Sequence, residues 1–147
     1  MTIIVYRDGK IAADSGVSNG DNTFASMTKI ARNNAGDLVG AGGDAGFAYQ
    51  FLEWFKDGEN GKHPLLRDIQ SERVYDKAAI FRASGIWEIF EPPGKHIVRG
   101  PYYAFGSGKP EALGALWMGA TAEQAVAAAI SLDNGCWGDI IVLTHVG

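Results

Sequence analysis

The chain predicts an α+β fold, in which antiparallel sheets are covered by helices. Two observations carry this. Short β-prone runs come in pairs around Gly- and Asn-containing turns, and helical periodicity is confined to separate blocks, so the regular strand–helix–strand alternation of a parallel sheet is absent. With 147 residues, 46% of them hydrophobic, no internal repeat and no dividing linker, residues 1 to 147 are expected to form a single domain with a real core.

Residues 2 to 14, TIIVYRDGKIAAD, hold two β-prone runs around Asp8-Gly9, a dipeptide suited to a type I′ turn because both central positions need positive φ. In that register Arg7 faces Lys10, Val5 faces Ala12, Ile3 faces Asp14 and Thr2 faces Ser15. A polar stretch, 15 to 26, leads to a second hairpin, 28 to 32 with 37 to 42, about Asn33-Asn34-Ala35-Gly36. From 44 to 57, Phe47, Phe51, Trp54 and Phe55 recur at helical spacing, with Asp44 as N-cap and Gly58 as the stop.

GENGKHP then reads as loop, and LLRDIQSERVYD, 65 to 76, as a short helix. Two further β-like runs flank Ser84-Gly85 between 77 and 90, and another strand covers 102 to 105 beyond the turn-rich EPPGK. One helix opens with Pro110 in its first turn and stacks Leu113, Leu116 and Trp117 on one side. The next opens on Thr121-Ala122-Glu123-Gln124, a capping box, and presents Val126 and Ile130. Residues 138 to 145 are expected to close the chain as a buried strand.

Composition narrows the partners. A net charge of −4 argues against sequence-independent binding to nucleic acid or to an anionic membrane. No apolar run has membrane-spanning length, and no basic segment followed by an apolar run marks a signal peptide, so a cytoplasmic protein is expected. Cys136 is the single cysteine, which permits no internal disulfide and suits a reducing compartment.

Thr2 is the first candidate for chemistry. Removal of Met1 would leave one residue carrying both a hydroxyl nucleophile and a free α-amine, whose unperturbed pKa of about 7.7–8.0 lets it serve as base near neutrality. If Met1 is retained, the amine is acylated and that base is lost. Further along stand Asp14, Lys29, Gly42 in a Gly-rich turn before a helix, Ser107 between Gly106 and Gly108 before another, and Asp133 before the last strand. This ordered set, quotable as TIIVYRDGKIAADS, MTKIAR, LVGAGGDAGFAYQFLEWF, YYAFGSGKPEALGAL and LDNGCWGDIIVLT, resembles the proteasome β-subunit family and its HslV-type peptidases, which are N-terminal nucleophile hydrolases.

The resemblance implies a four-layer αββα sandwich of two antiparallel sheets between helices. It also implies a threonine-type endopeptidase without cofactor or metal, acting on peptides or unfolded proteins in a homo-oligomeric ring, with an ATP-dependent unfoldase as a possible partner. Thr2 would be nucleophile and base. Lys29 would lower the proton affinity of its hydroxyl, Asp14 would orient Lys29, and the Gly42 N–H would meet the oxyanion. Ser107 and Asp133 would hold the α-amine, and Cys136 falls where the family commonly has serine. Met27, Ala31 and Gly40 match the primary substrate pocket, with Asp44 at its rim, implying cleavage after bulky apolar residues. Two alternatives keep the fold: a ring-forming structural or assembly protein without activity, favoured by a retained Met1, and an amidase acting on a small amide.

Other motifs fit less well. Gly40 to Ala45 match a dinucleotide-binding G-x-G-x-x-A, but Asp44 would put a negative charge where pyrophosphate sits and no βαβ unit follows. Gly106-Ser107-Gly108-Lys109 approximates a P-loop, yet Tyr103 and Pro110 occupy the positions of its first glycine and its Mg²⁺-binding hydroxyl. Ser107, His145 and Asp133 could form a triad only if the fold brought them together. His63, His96 and His145 are too scattered to suggest a metal site.

Overall fold

The computed structural model describes residues 2–18, 24–69, 74–133 and 135–146. Strands β1 (Ile3–Arg7) and β2 (Lys10–Ala13) form the first hairpin in the expected register, with Asp8 at φ 53° and Gly9 at φ 76°. The expected pair between Thr2 and Ser15 does not form. The chain leaves the ladder after Ala13, so the Ser15 carbonyl accepts from Met27 N–H and its hydroxyl donates to the Asp139 carbonyl. Inside the stretch that reads as merely polar, β3 (Gly16–Ser18) and β4 (Phe24–Ser26) pair as a small ribbon.

The second hairpin is β5 (Ile30–Arg32) with β6 (Leu38–Gly42), followed by α1 (Ala45–Lys56), whose N-cap Asp44 accepts from the N–H groups of Gly46 and Phe47. The helix expected over 65 to 76 is replaced by an antiparallel ribbon of β7 (Asp68–Ile69) and β8 (Val74–Tyr75); residues 70 to 73 of that stretch lie outside the described ones. Then come β9 (Lys77–Phe81), β10 (Trp87–Glu91), β11 (Gly94–Val98), which begins inside the turn-rich EPPGK and has no counterpart among the expected strands, and β12 (Tyr102–Gly106). Helices α2 (Lys109–Trp117) and α3 (Ala122–Leu132) precede the last strand, β13 (Ile141–Thr144). The Thr121 capping box is formed in both directions.

Two antiparallel sheets organise the chain, one ordered β12-β1-β2-β13 and the other β11-β10-β9-β6-β5. Period-two alternation on β1 sends Ile3 and Val5 to a cluster with Leu116 and Val126 of α2 and α3, and Ile4 and Tyr6 to a cluster with Leu38, Phe81 and Ile89 of the other sheet. On β6, Val39 and Ala41 turn outward to Phe51 and Phe55 of α1. Those two phenylalanines are fully buried, each worth about 1.5–3 kcal/mol of transfer free energy.

Two apolar expectations fail at the surface. Trp117 is 80% exposed, because α2 ends there and the chain reverses into α3, leaving Ala112 and Leu116 as its buried residues. Strand β13 is half-buried because it lies at a sheet edge.

Candidate active site

Thr2 immediately precedes β1 and shares the inter-sheet face with Ile4 and Tyr6, so its side chain points into the gap at one end of the two sheets. Gly42, the last residue of β6, approaches it from the opposite sheet. A Cβ at Gly42 would stand 3.3 Å from Thr2 Cγ2 and 3.8 Å from Thr2 Oγ1, so the glycine lets backbone reach the hydroxyl. Thr2 itself is 9% exposed.

Asp14 takes its position from the broken hairpin. Its N–H donates to the Ile3 carbonyl at 3.3 Å, but the return bond from Ile3 N–H, 3.0 Å, goes to its side-chain Oδ1. Oδ1 also accepts from Lys29 Nζ at 2.9 Å, and Oδ2 accepts from Trp137 N–H at 3.3 Å. The ion pair is enclosed, with side-chain exposures of 4% for Lys29 and 0% for Asp14. An unpaired charge there would be costly, and here the carboxylate has three donors.

On the other side of Thr2, its N–H donates to Ser107 Oγ at 3.3 Å, and its carbonyl accepts from Gly108 N–H at 3.3 Å. Ser107 Oγ lies 3.6 Å from Cys136 Sγ, and that thiol donates to Asp133 Oδ2 at 3.3 Å. Asp133 thus reaches Thr2 through Cys136 and Ser107. The Gly135 N–H, followed by hydrogen bonds from Cys136 and Ser107, holds the Asp133 carboxyl below its ordinary range against a smaller opposing effect of burial.

Burial pushes the Cys136 thiol up to about 11, so it serves this chain as a neutral donor. At pH 8 native protein should resist iodoacetamide and take up one equivalent only when unfolded; rapid labelling of the native state would contradict this placement. The sign for stability follows. An unfolded thiol ionises near pH 8.5 to 9, so the contribution is full below that and is lost as pH rises toward 11.

A cleft of about 70 Å³ opens beside Thr2, Lys29 and Gly42, with Val17, Met27, Ala45 and Ala48 among its walls. Of the expected pocket residues, Met27 lines it. Ala31 packs under α1 with the Phe51 cluster. Gly40 faces the inter-sheet core, where a Cβ would stand 2.7 Å from Ile4 Cγ2. Asp44 does not line the cleft: its carboxylate caps α1 and pairs with Arg67 at 3.2 Å.

Four residues beyond the predicted set take part. Trp137 lays its indole on Gly16, where a Cβ would fall 2.3 Å from the ring, and Cys136 links Ser107 to Asp133. Asp76, fully buried, accepts from the N–H groups of Asp44 and Arg67. No sequence pattern marks Asp76 or Arg67, whereas the cysteine and tryptophan stand beside Asp133 in plain view.

The competing motifs are occupied otherwise. The Asp44 carboxylate sits on the helix N–H groups that a phosphate would need, and Ser107 is engaged by Thr2. His145 bonds the Gly36 carbonyl and the Tyr6 hydroxyl, so it does not meet Ser107 and Asp133 as a triad. His63 packs on Phe90, and His96 faces Glu91.

No family model and no curated protein matches the sequence. The structure is similar over nearly its whole length to solved proteins of low identity. HslV from Trypanosoma brucei has a TM-score of 0.66 at 20% identity, over 98% of this chain and 99% of that one. BPH from Thiobacillus denitrificans, solved in complex with epoxomicin, has a TM-score of 0.63 at 22% identity over 99% of both chains. Anbu from Hyphomicrobium sp. strain MC1 has a TM-score of 0.68 at 10% identity, over 98% of this chain and 81% of that one. The fold of this chain is therefore that of HslV and its proteasome-like relatives.

Proposed function

We propose that the chain is a threonine-type endopeptidase, active once Met1 is removed, built as one domain in a four-layer αββα sandwich. The observation that carries the reading is the convergence on Thr2 of a buried Asp14–Lys29 pair, the Gly42 backbone and the Ser107–Cys136–Asp133 chain. The three apolar clusters, α2 and α3 on one sheet, sheet on sheet, and α1 on the other, support the layer order.

In this mechanism the free α-amine takes the hydroxyl proton as Thr2 Oγ1 attacks the peptide carbonyl carbon. Lys29 stabilises the developing alkoxide, and the Gly42 N–H meets the oxyanion. The amine then returns the proton to the leaving nitrogen as the C–N bond breaks. Water, deprotonated by the same amine, hydrolyses the ester and frees Thr2. Ser107 orients the amine, and Asp133 orients Ser107 together with Cys136. Met27 contributes a wall for an apolar substrate side chain.

A homo-oligomeric ring acting on unfolded protein in the cytoplasm, with or without an unfoldase, completes the proposal. The test is intact mass before and after epoxomicin, the compound bound in the similar BPH structure. A mass lacking methionine that rises by one inhibitor, with no rise in Thr2→Ala, is expected. A mass that keeps methionine and never rises would overturn the peptidase in favour of a ring-forming protein without activity; hydrolysis of small amides but not peptides would favour the amidase.

A further inference from the structure

The uncharged side chains Val17, Met27, Ala45 and Ala48 line the cleft beside Thr2, yet a carboxylate stands next to them. Asp44 lies between Gly43 and Ala45, both of which line the cleft, and its side chain is 49% exposed. Left to itself, an anion at that place would favour substrates with cationic side chains.

It is not left to itself. Arg67 places one guanidinium nitrogen 3.2 Å from Asp44 Oδ2 and its Nε 3.2 Å from Asp76 Oδ2. Asp76 is fully buried and fixes both partners by their backbones, accepting from Asp44 N–H at 3.2 Å and Arg67 N–H at 2.9 Å; its own N–H donates to the Arg67 carbonyl at 3.0 Å. A surface arginine ordinarily loses much of its ion-pair energy to side-chain freedom. Here the guanidinium is held in place by a buried group. Lys29, which lines the cleft, is matched by Asp14.

We propose that Arg67 is a specificity-determining residue: by neutralising Asp44 beside the cleft it makes the site select apolar over cationic substrate side chains. This rests on the reading of Thr2 as a peptidase nucleophile. Two carboxylates, Asp44 and Asp76, share the one guanidinium. Without it a lysine or arginine of the substrate could take its place on Asp44. The Asp44 carboxyl is held below its ordinary range, first by the Gly46 N–H, so it stays charged when Arg67 is replaced.

The experiment compares kcat/KM for two fluorogenic peptides that differ only in having leucine or arginine before the scissile bond. Wild type should prefer leucine. Arg67→Ala should raise the arginine-to-leucine ratio about threefold to fivefold, the scale of a partly exposed charge pair, and added salt should shrink the gain. Arg67→Lys should keep the wild-type ratio. Arg67→Ala with Asp44→Asn should lose the gain, because asparagine still caps the helix but carries no charge. Epoxomicin adducts count the folded sites in each variant. An unchanged ratio in Arg67→Ala, or an equal gain in the double variant, would overturn the proposal while leaving the peptidase in place. Wild-type protein that cleaves neither peptide and forms no adduct would overturn the peptidase reading itself.

Discussion

Lys29→Met is expected to cost about 3–5 kcal/mol of stability, because it leaves the fully enclosed Asp14 carboxylate without its counter-ion. For a chain of this length each kcal/mol lowers Tm by about 2–4 °C, so the melting point should fall by about 10 °C. The epoxomicin adduct should be lost as well. Lys29→Met with Asp14→Asn removes the uncompensated charge and should recover part of the stability with no return of hydrolysis. That split separates the pair's structural contribution from its chemical one. A denaturation midpoint within about 1 kcal/mol of wild type for the single variant would show that the pair is not closed off from water.

Gly106→Ala should be as damaging for a different reason. Gly106 sits at φ 114°, and a Cβ there would fall 2.0 Å from the Thr2 carbonyl oxygen and 2.6 Å from its carbon. Both are backbone atoms, so nothing flexible can give way, and strain plus overpacking amount to about 3 kcal/mol or more. Relief must come from displacing Thr2, and activity should fall with stability. Gly85→Ala is the matched control. Its φ is 100°, with nothing within 4 Å of the added Cβ, so it should show only the conformational cost, about 1 kcal/mol, and full activity. Equal losses in the two variants would deny the contact at Thr2 any special weight.

Legibility followed the locality of the physics. The Asp8-Gly9 turn fixes its own hairpin register, and the aromatic spacing of α1 fixes its buried face, so both could be read from neighbours in sequence. The ribbon of β3 and β4 could not. Its Gly16 N–H is held by the Trp137 carbonyl, a partner from the far end of the chain. Leu65, Leu66 and Ile69 have a spacing that a helix would also satisfy, but the buried Asp76 grips the backbone and side chain of Arg67 and keeps that segment extended. β11 is an exposed strand with little alternation to mark it. In the site, Thr2, Asp14, Lys29, Gly42 and Ser107 converge as their order in the sequence suggests. Gly40 faces the core and not the cleft, a difference hidden in sequence because a glycine reads the same whether it makes room for a ligand or for Ile4.

The Asp14 carboxylate collects Ile3 N–H, Lys29 Nζ and Trp137 N–H, groups 11, 15 and 123 positions away from it. Two of these are synthesised early and one near the end. A ribosome must therefore deliver Trp137 before the carboxylate has its full set of donors, and the same late segment brings Cys136 to Ser107. Thr2 is made first and this part of its surroundings last. A nascent chain thus carries Thr2 through most of its synthesis without the segment of Cys136 and Trp137 around it, so the enclosure of this end of the sheets closes only when the last residues are in place.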